Sequence, residues 1–569
     1  MRQVGSPPAV RRRATLGKIY RPLSDESLAV TDQLFEIDLE LPSTGEGSLS
    51  ENLCRQLRRA IASGRIPPGA RLPATRKAAR FFGVSRNTAA AVYEQLLSEG
   101  YVVTRQGSGT YVAERASATR PPGAAGNRKP PAYRLNEFWL RPEVTRDIGF
   151  WREPAEAHRA ARSPGAQSIE FRPGLVDSRL FPFEIFRQMC ARRLRGLERK
   201  PASYKSPQGH QGNFHLRAAI TRHIALTRAV ACGPAEVLVT SGAQQAFDLL
   251  ARVLVTPGKT TVAVEDPGYP PMRVPMAAAG ARIVPVGVDA EGLIVEQLPS
   301  DAEIICVSPS HQFPLGVTLS QQRRKALIEF ARRHNAVVIE DDYDGEFRFA
   351  GSPLEALRTA DSADVVFYVG TFSKCMLPAL RLGFVVVPPW ALPAMVAAKN
   401  CLDWHCAVPL QLTVASFIAD GHLARHVRKM REIYRARRDR VLTLLKEDLH
   451  EWLEPLPSFC GMHVAAVAHT SRDLDAVTTA LGGRQVKLHA LSRYYLGRPT
   501  HSGFIIGYGA ADLNEISLGL STLRALLADT AERPSRGRRP APGSRPGREA
   551  GADRYVLGCE SRPRARAFR

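Results

Sequence analysis

Apolar residues recur at every fourth position from Leu49 through Leu53 and Leu57 to Ile61, and Gly64 follows. That interval lines one face of an amphipathic helix of about four turns. Ser48 and Glu51 form a capping box at its start, and the glycine closes its end. After the Pro67-Pro68-Gly69 turn, Thr75 can cap a short helix ending at Gly83, and Ser85 caps a longer one reaching Gly100. Two helices joined through Gly83-Val84-Ser85 have the layout of a helix-turn-helix, whose second helix offers its first residues to a DNA major groove. Two β-rich runs, Tyr101 to Thr104 and Thr110 to Val112, flank Gln106-Gly107-Ser108-Gly109 and predict a small hairpin, or wing.

From residue 166 the pattern changes. Continuous apolar runs at Val237 to Thr240, Val262 to Val264, Ile304 to Val307, Val337 to Ile339 and Val365 to Val369 alternate with helical stretches. Such runs predict a parallel sheet covered by helices on both faces, an α/β body that binds ligands at the carboxyl ends of its strands. The sequence therefore divides into residues 1–47, with weak periodicity and no functional assignment, a small α+β head at 48–114, a stretch at 115–165, and a body at 166–528. Residues 115–165 hold Pro121-Pro122-Gly123 and Arg128-Lys129-Pro130-Pro131, and read as a long linker that leaves the head free to take several positions. Residues 529–569, dense in Arg, Pro, Gly and Ala, read as a disordered tail.

Charge sharpens this division. Of the formal net charge of +23 on 569 residues, residues 1–165 carry +10 (26 basic, 16 acidic) and residues 531–569 carry +7 (11 basic, 4 acidic), leaving +6 for the remaining 365. The head alone, residues 49–113, has ten basic and three acidic side chains. A nearly balanced body flanked by basic pieces suits a polyanionic partner, and double-stranded DNA leads that class. No apolar run is long enough to span a membrane, and the basic amino terminus lacks an apolar core behind it, so a cytoplasmic protein without a membrane partner is expected. Nine cysteines without a C-x-x-C pair predict reduced thiols and no metal site.

Within the head, Arg86 and Asn87 open the second helix, where Arg can fork onto guanine and Asn onto adenine. Ser85 and Thr88 carry short hydroxyls suited to phosphate, and Gly107 and Gly109 would let the wing backbone approach a minor groove. Within the body, three loops follow strands. Thr240-Ser-Gly-Ala-Gln-Gln245 enters a helix whose free amides can cradle phosphate. Ile339-Glu-Asp-Asp-Tyr-Asp-Gly-Glu346 crowds carboxylates that call for a cationic partner. Tyr368-Val-Gly-Thr-Phe-Ser-Lys374, with Arg381 beyond it, places hydroxyls, an amine and a guanidinium together, and a lysine beside a phosphate site can form a Schiff base with an aldehyde. Phosphate cradle, carboxylate and lysine together describe a site for pyridoxal 5'-phosphate (PLP).

The run from Gly64 to Arg76, Gly83-Val-Ser-Arg-Asn-Thr88, Glu99-Gly-Tyr101 and Gln106-Gly-Ser-Gly-Thr110 closely resembles the winged helix of the GntR family of bacterial repressors. Residues 166–528 resemble fold-type I aminotransferases, with Tyr204-Lys-Ser-Pro-Gln-Gly209, Glu265-Asp-Pro-Gly-Tyr269, Ser310-His-Gln-Phe-Pro-Leu-Gly316 and Gly370-Thr-Phe-Ser-Lys374 in family order. Joined, they resemble a MocR-type regulator: a multidomain chain with a winged helix-turn-helix and an α/β PLP-dependent transferase body bearing a small C-terminal α+β subdomain. The resemblance implies that Arg76, Arg86 and the wing, Gln106 included, face DNA. It implies that Lys374 carries PLP as a Schiff base, Asp341 meets the pyridine nitrogen, Tyr343 the ring hydroxyl and Tyr269 the ring face. Ala243, Gln244, Thr371, Ser373 and Arg381 would hold the phosphate, with Tyr204 reaching in from a second subunit of a homodimer. Spacing favours Asp341 over Glu340 and Asp342.

One departure bears on function. Amino-acid aminotransferases place an arginine for the substrate carboxylate in the late strand that corresponds to Gly503-Phe-Ile-Ile-Gly-Tyr508, which here holds only apolar residues. Arg493 could receive an anionic effector instead, or form a surface salt bridge. The expected function is a PLP-binding transcriptional regulator that senses a small amino-containing effector. A working aminotransferase with a DNA-binding head, and a cofactor-free dimerisation body, are the alternatives.

Overall fold

The computed structural model describes residues 49–114, 136–142, 144, 147, 168–199, 209–349, 355–469 and 474–531. It divides into two compact units, one ending at Arg134 and one beginning at Leu135. In the first, α1 (Leu49–Ala62), α2 (Thr75–Phe82) and α3 (Arg86–Ser98) precede a hairpin of β1 (Val102–Arg105) and β2 (Gly109–Val112). Leu53, Leu57 and Ile61, the periodic face of α1, are buried against Ala78, Phe82, Val92 and Leu96. Removing that apolar surface from water holds the three helices together. Gly83, at φ 64°, ends α2 in the left-handed region, and Ser85 accepts a 3.0 Å bond from the Thr88 amide to start α3. Thr75 is not a cap. It is already helical, so the N-cap position falls to Ala74, whose side chain can accept nothing. Ser48 of the expected capping box lies outside the described residues.

In the second unit β3 (Ile169–Glu170) leads to β4 (Val237–Thr240), β5 (Thr261–Asp266), β6 (Arg282–Asp289), β7 (Gly292–Leu293), β8 (Ile304–Val307), β9 (Val337–Asp342), β10 (Val366–Thr371) and β11 (Gly383–Val386). The large sheet runs β4-β11-β10-β9-β8-β5-β6-β7. All five apolar runs read from the sequence are strands, but the sheet is mixed rather than parallel. After β10 the chain turns through Pro378–Leu380 and re-enters as β11, antiparallel to both β10 and β4. Gly383 pairs with Thr371 on one side and Thr240 on the other, which brings the ends of β10 and β4 within one strand of each other. A Cβ at Gly383 would lie 2.9 Å from the Gly370 carbonyl oxygen and 3.0 Å from the Gly242 backbone, so no other residue fits there.

The chain then forms a long helix, His422–Glu447, and a smaller antiparallel sheet of β12 (Leu453–Pro455), β13 (His463–Ala468), β16 (Gly503–Gly507) and β15 (His489–Ala490), in that order. β14 (Val486–Lys487) pairs instead with β3. Every residue of β16 is buried, in keeping with its apolar sequence. Residues 115–165 are not a free tether throughout. Val144 and Asp147 are buried in the second unit, where Asp147 accepts a 3.0 Å bond from Arg273, itself 3% exposed. A buried carboxylate needs such a partner, and its arginine lies far along the chain, out of reach of a local reading.

Candidate functional site

The strand alternation of β9 separates the three carboxylates at its end. Glu340 accepts the backbone amides of Leu357 (2.8 Å) and Arg358 (2.9 Å). Asp342 accepts the Arg228 guanidinium and the Tyr368 hydroxyl, each at 2.6 Å. Asp341 points to the opposite face, and its buried Oδ1 has no hydrogen-bond partner. Burial, reinforced by the charges of Asp342 and Asp344 and opposed by Lys374, pushes the Asp341 carboxyl up to about 8. An orphaned carboxylate oxygen of this kind costs about 1–3 kcal/mol unless a donor arrives, and a protonated ring nitrogen is such a donor.

Lys374 follows β10 and donates to the Gly174 carbonyl at 2.5 Å. Burial lowers its amine to about 8 against the pull of Asp344 and Asp341, so more of it is neutral at a given pH than of an ordinary lysine. Beside it, the helix Ala243–Leu254 starts at Gly242 (φ 78°) without a side-chain cap. Its first amides, from Ala243 and Gln244, therefore point at the space beyond β4. The Gln244 side chain is turned away, bonding the Pro271 carbonyl at 3.1 Å. Arg381, held at φ 47° by the turn into β11, donates to the Ser241 carbonyl at 3.0 Å and packs its guanidinium where a Gly242 Cβ would be. Thr371 and Ser373 share a 3.0 Å hydroxyl bond at the end of β10. Amides, two hydroxyls and a guanidinium thus gather at the adjacent ends of β4 and β10, an arrangement that could hold a phosphate.

Tyr269 meets Phe313 edge-on at 5.3 Å, and Tyr343 meets the same ring at 6.0 Å, so both belong to one aromatic wall. Tyr204 lies outside the described residues. Arg493 stands on the turn Leu491–Tyr494, next to the Tyr494 ring that packs on Phe313 at 5.1 Å. Its Nε is buried without a hydrogen-bond partner, and among the described residues it makes no ion pair, so the surface salt bridge is not found. Sequence reasoning missed Arg228, His311 and Asp344. His311 lies inside the Ser310–Gly316 run and Asp344 inside Ile339–Glu346; Arg228 has no local signal, because the carboxylate it meets is 114 residues away.

In the head, Arg76, Arg86 and Asn87 are exposed, as are Gln106, Gly107 and Gly109 of the wing. Ser85 and Thr88 bond each other at 2.8 Å, which commits Ser85 first to capping α3. Arg71, not singled out from the sequence, lays its guanidinium 3.0 Å from where a Gly109 Cβ would be, adding a cation to the wing. Among the described residues no helix is long and apolar enough to cross a membrane.

Residues 49–112 match the family described as bacterial regulatory proteins, gntR family, and residues 190–475 match aminotransferase class I and II. Among solved structures, the kynurenine aminotransferase of Pyrococcus horikoshii superposes with a TM-score of 0.61 at 25% identity, over 68% of this chain and 97% of that one. LysN, the α-aminoadipate aminotransferase of Thermus thermophilus, gives 0.59 at 25% identity, over 67% and 96%. The fold and site thus define a winged-helix DNA-binding protein with an aminotransferase-like, PLP-type body. Across head and body together the chain is 32% identical to the probable rhizopine catabolism regulatory protein MocR of Rhizobium meliloti, covering 86% of this chain and 95% of that one. It is 30% identical to the pyridoxine biosynthesis regulator PdxR of Corynebacterium glutamicum, over 86% and 97%. The chain belongs to the MocR-type helix-turn-helix transcriptional regulators, a winged helix of the GntR family joined to a body of the class I and II aminotransferases.

Proposed function

We propose that this regulator holds PLP at Lys374 and senses a small amino-containing effector there, as a cytoplasmic homodimer whose two heads read paired half-sites of a DNA operator. The observation that carries the reading is the unsatisfied Oδ1 of Asp341, whose two neighbours on the strand, Glu340 and Asp342, have their own hydrogen-bond partners within the protein. When bound, PLP supplies an aldehyde that can pass from the lysine amine to an incoming amine. Asp341 keeps the ring nitrogen protonated, Tyr343 meets the ring hydroxyl, Tyr269 covers the ring face, and Ala243, Gln244, Thr371, Ser373 and Arg381 hold the phosphate. Arg493, whose buried Nε lacks a hydrogen-bond partner, would read an anionic group on the effector. Regulation requires that the effector bind two arrangements of the dimer with different affinity.

The purified chain loaded with PLP is expected to show the visible absorption of a lysine-bound cofactor, and Lys374→Ala to abolish it. A wild-type chain that stays colourless at saturating PLP overturns the reading. Because the neutral amine is the nucleophile, capture of PLP is expected to accelerate as pH rises through about 8 and then level off. Stopped-flow absorbance would follow this, and a rate still climbing toward the ordinary lysine range would contradict it.

A working aminotransferase is the second reading, favoured by the Lys374 and Asp341 pairing. The buried apolar strand β16, without an arginine, speaks against it. Turnover assays with amino donors and keto acids separate the two. On the DNA side, Arg86→Ala should weaken operator binding by about 1–3 kcal/mol if it reads a base. Equal weakening on random DNA, measured by fluorescence anisotropy at fixed salt, would make it a backbone contact instead.

A further inference from the structure

Behind Tyr343 lies a buried pair that the reading above leaves without a role. His311 is 3% exposed and Asp344 2%. His311 Nδ1 stands 2.9 Å and 3.1 Å from the two Asp344 oxygens. The Tyr343 hydroxyl is 3.0 Å from the same Nδ1 and 3.0 Å from the His311 carbonyl oxygen. On the far side of the ring, Nε2 is buried without a partner.

These contacts decide where the imidazole proton sits. A proton on Nε2 would bury an unsatisfied N–H at a cost of about 1–3 kcal/mol, whereas a proton on Nδ1 is donated to a buried carboxylate. His311 is therefore the Nδ1–H tautomer, with Asp344 as principal acceptor and the Tyr343 oxygen as a second acceptor of the same hydrogen. The tyrosine's own hydrogen goes to the His311 carbonyl, or forward to a ligand. Side chain and carbonyl of one residue thus hold the phenol from two directions. The packing leaves little freedom: a Cβ at Gly461 (φ 85°) would come within 1.9 Å of the His311 ring and 2.7 Å of Asp344.

We propose that His311 and Asp344 are positioning residues that hold the Tyr343 hydroxyl at the ring oxygen of PLP, and that they thereby set the pH at which the bound cofactor changes colour. In this role both act through the tyrosine. The proposal rests on the PLP reading above and deepens it. Other charged or titratable groups face this cluster from every side: Asp341 and Glu265 from the large sheet, Lys374 from the β10 loop, Cys460 and His463 from the C-terminal lobe. Asp342 and Glu346 face Asp344 from behind, the first neutralised by Arg228. The His463 ring lies 4.7 Å from that of His311, tilted by 34°, and gives its Nε2 hydrogen to the Pro314 carbonyl, so it neither competes for Nδ1 nor supplies a charge. Burial above all holds it below the ordinary histidine range, with the Pro314 bond opposing.

The test is a pH titration of the visible band of the PLP-loaded full-length chain. Tyr343→Phe removes the donor that stabilises the deprotonated ring oxygen, so the midpoint is expected to rise by about one unit. His311→Phe should raise it in the same direction, add nothing further in the Tyr343→Phe background, and be reversed by His311→Asn, whose amide can stand where Nδ1–H stood. A midpoint unmoved by His311→Phe, an equal shift without the tyrosine hydroxyl, or failure of His311→Asn to restore it would each overturn the proposal. Stoichiometric zinc held by the wild-type chain and lost in His463→Ala would also overturn it, by making His311, Asp344 and His463 a metal site. If His311→Phe does not fold, the asparagine variant and Asp344→Asn, which weakens the hold on Nδ1–H, carry the same comparison. A wild-type chain that takes up no PLP would instead defeat the underlying reading and is distinguished by its lack of colour.

Discussion

Arg228→Ala is expected to lower the stability of the body by about 3–5 kcal/mol, well beyond the cost of losing an exposed charge. The guanidinium ends the helix Phe214–Arg228, is 5% exposed, and donates to Asp342 at 2.6 Å and to the Ser310 hydroxyl at 2.5 Å. Truncating it strands a buried carboxylate beside Asp341, Glu340 and Asp344. Urea denaturation of the body would read the loss as a shifted midpoint. Asp342→Asn in the same chain should recover part of it, since the stranded charge is then gone. A loss below about 1 kcal/mol would mean that Asp342 is reached by water and that the pair is a weak surface contact.

Asp341→Asn is expected to weaken PLP binding by about 10- to 150-fold, the equivalent of about 1.5–3 kcal/mol for a hydrogen bond to a charged group. Asparagine keeps the shape of the side chain but cannot hold the proton on a pyridine nitrogen. Glu340→Gln is the informative comparison. Its carboxylate is occupied by two backbone amides, and burial lifts it to about 7, so its loss should disturb the loop at Leu357 and Arg358 rather than the ligand. Equilibrium dialysis of the two variants decides the matter. If Glu340→Gln weakens binding as much as Asp341→Asn, Asp341 is not the partner of the ring nitrogen.

The head was readable from periodicity because each of its elements advertises itself locally. The four-residue spacing of Leu49 to Ile61, the left-handed glycine at Gly83 and the Ser85 cap act over a few residues of chain. Thr75 failed as a cap by a single position, a displacement that propensity cannot resolve. In the body, five apolar runs were recognisable as strands, yet the antiparallel course of β11 was not. Direction within a sheet follows from how the chain turns after Leu380, and apolar runs look alike whichever way they travel.

The site divides along the same line. Lys374, Tyr343 and the Gly242 cradle sit in short motifs whose chemistry is legible residue by residue. The choice of Asp341 among three neighbouring carboxylates could only be favoured by spacing. It depends on Arg228, Tyr368 and the amides of Leu357 and Arg358 reaching Asp342 and Glu340, partners that folding delivers from 17 to 114 residues away. The same holds for Asp147, which the sequence presents as part of a tether and the fold buries against Arg273. The sequence by itself determined which groups this chain owns and the order of its helices, strands and loops, since those are properties of neighbours along the backbone. Which of the three carboxylates on β9 find partners, and which keeps an unpaired oxygen at the site, only the tertiary structure decided, because electrostatic compensation acts through space between segments that no local pattern connects.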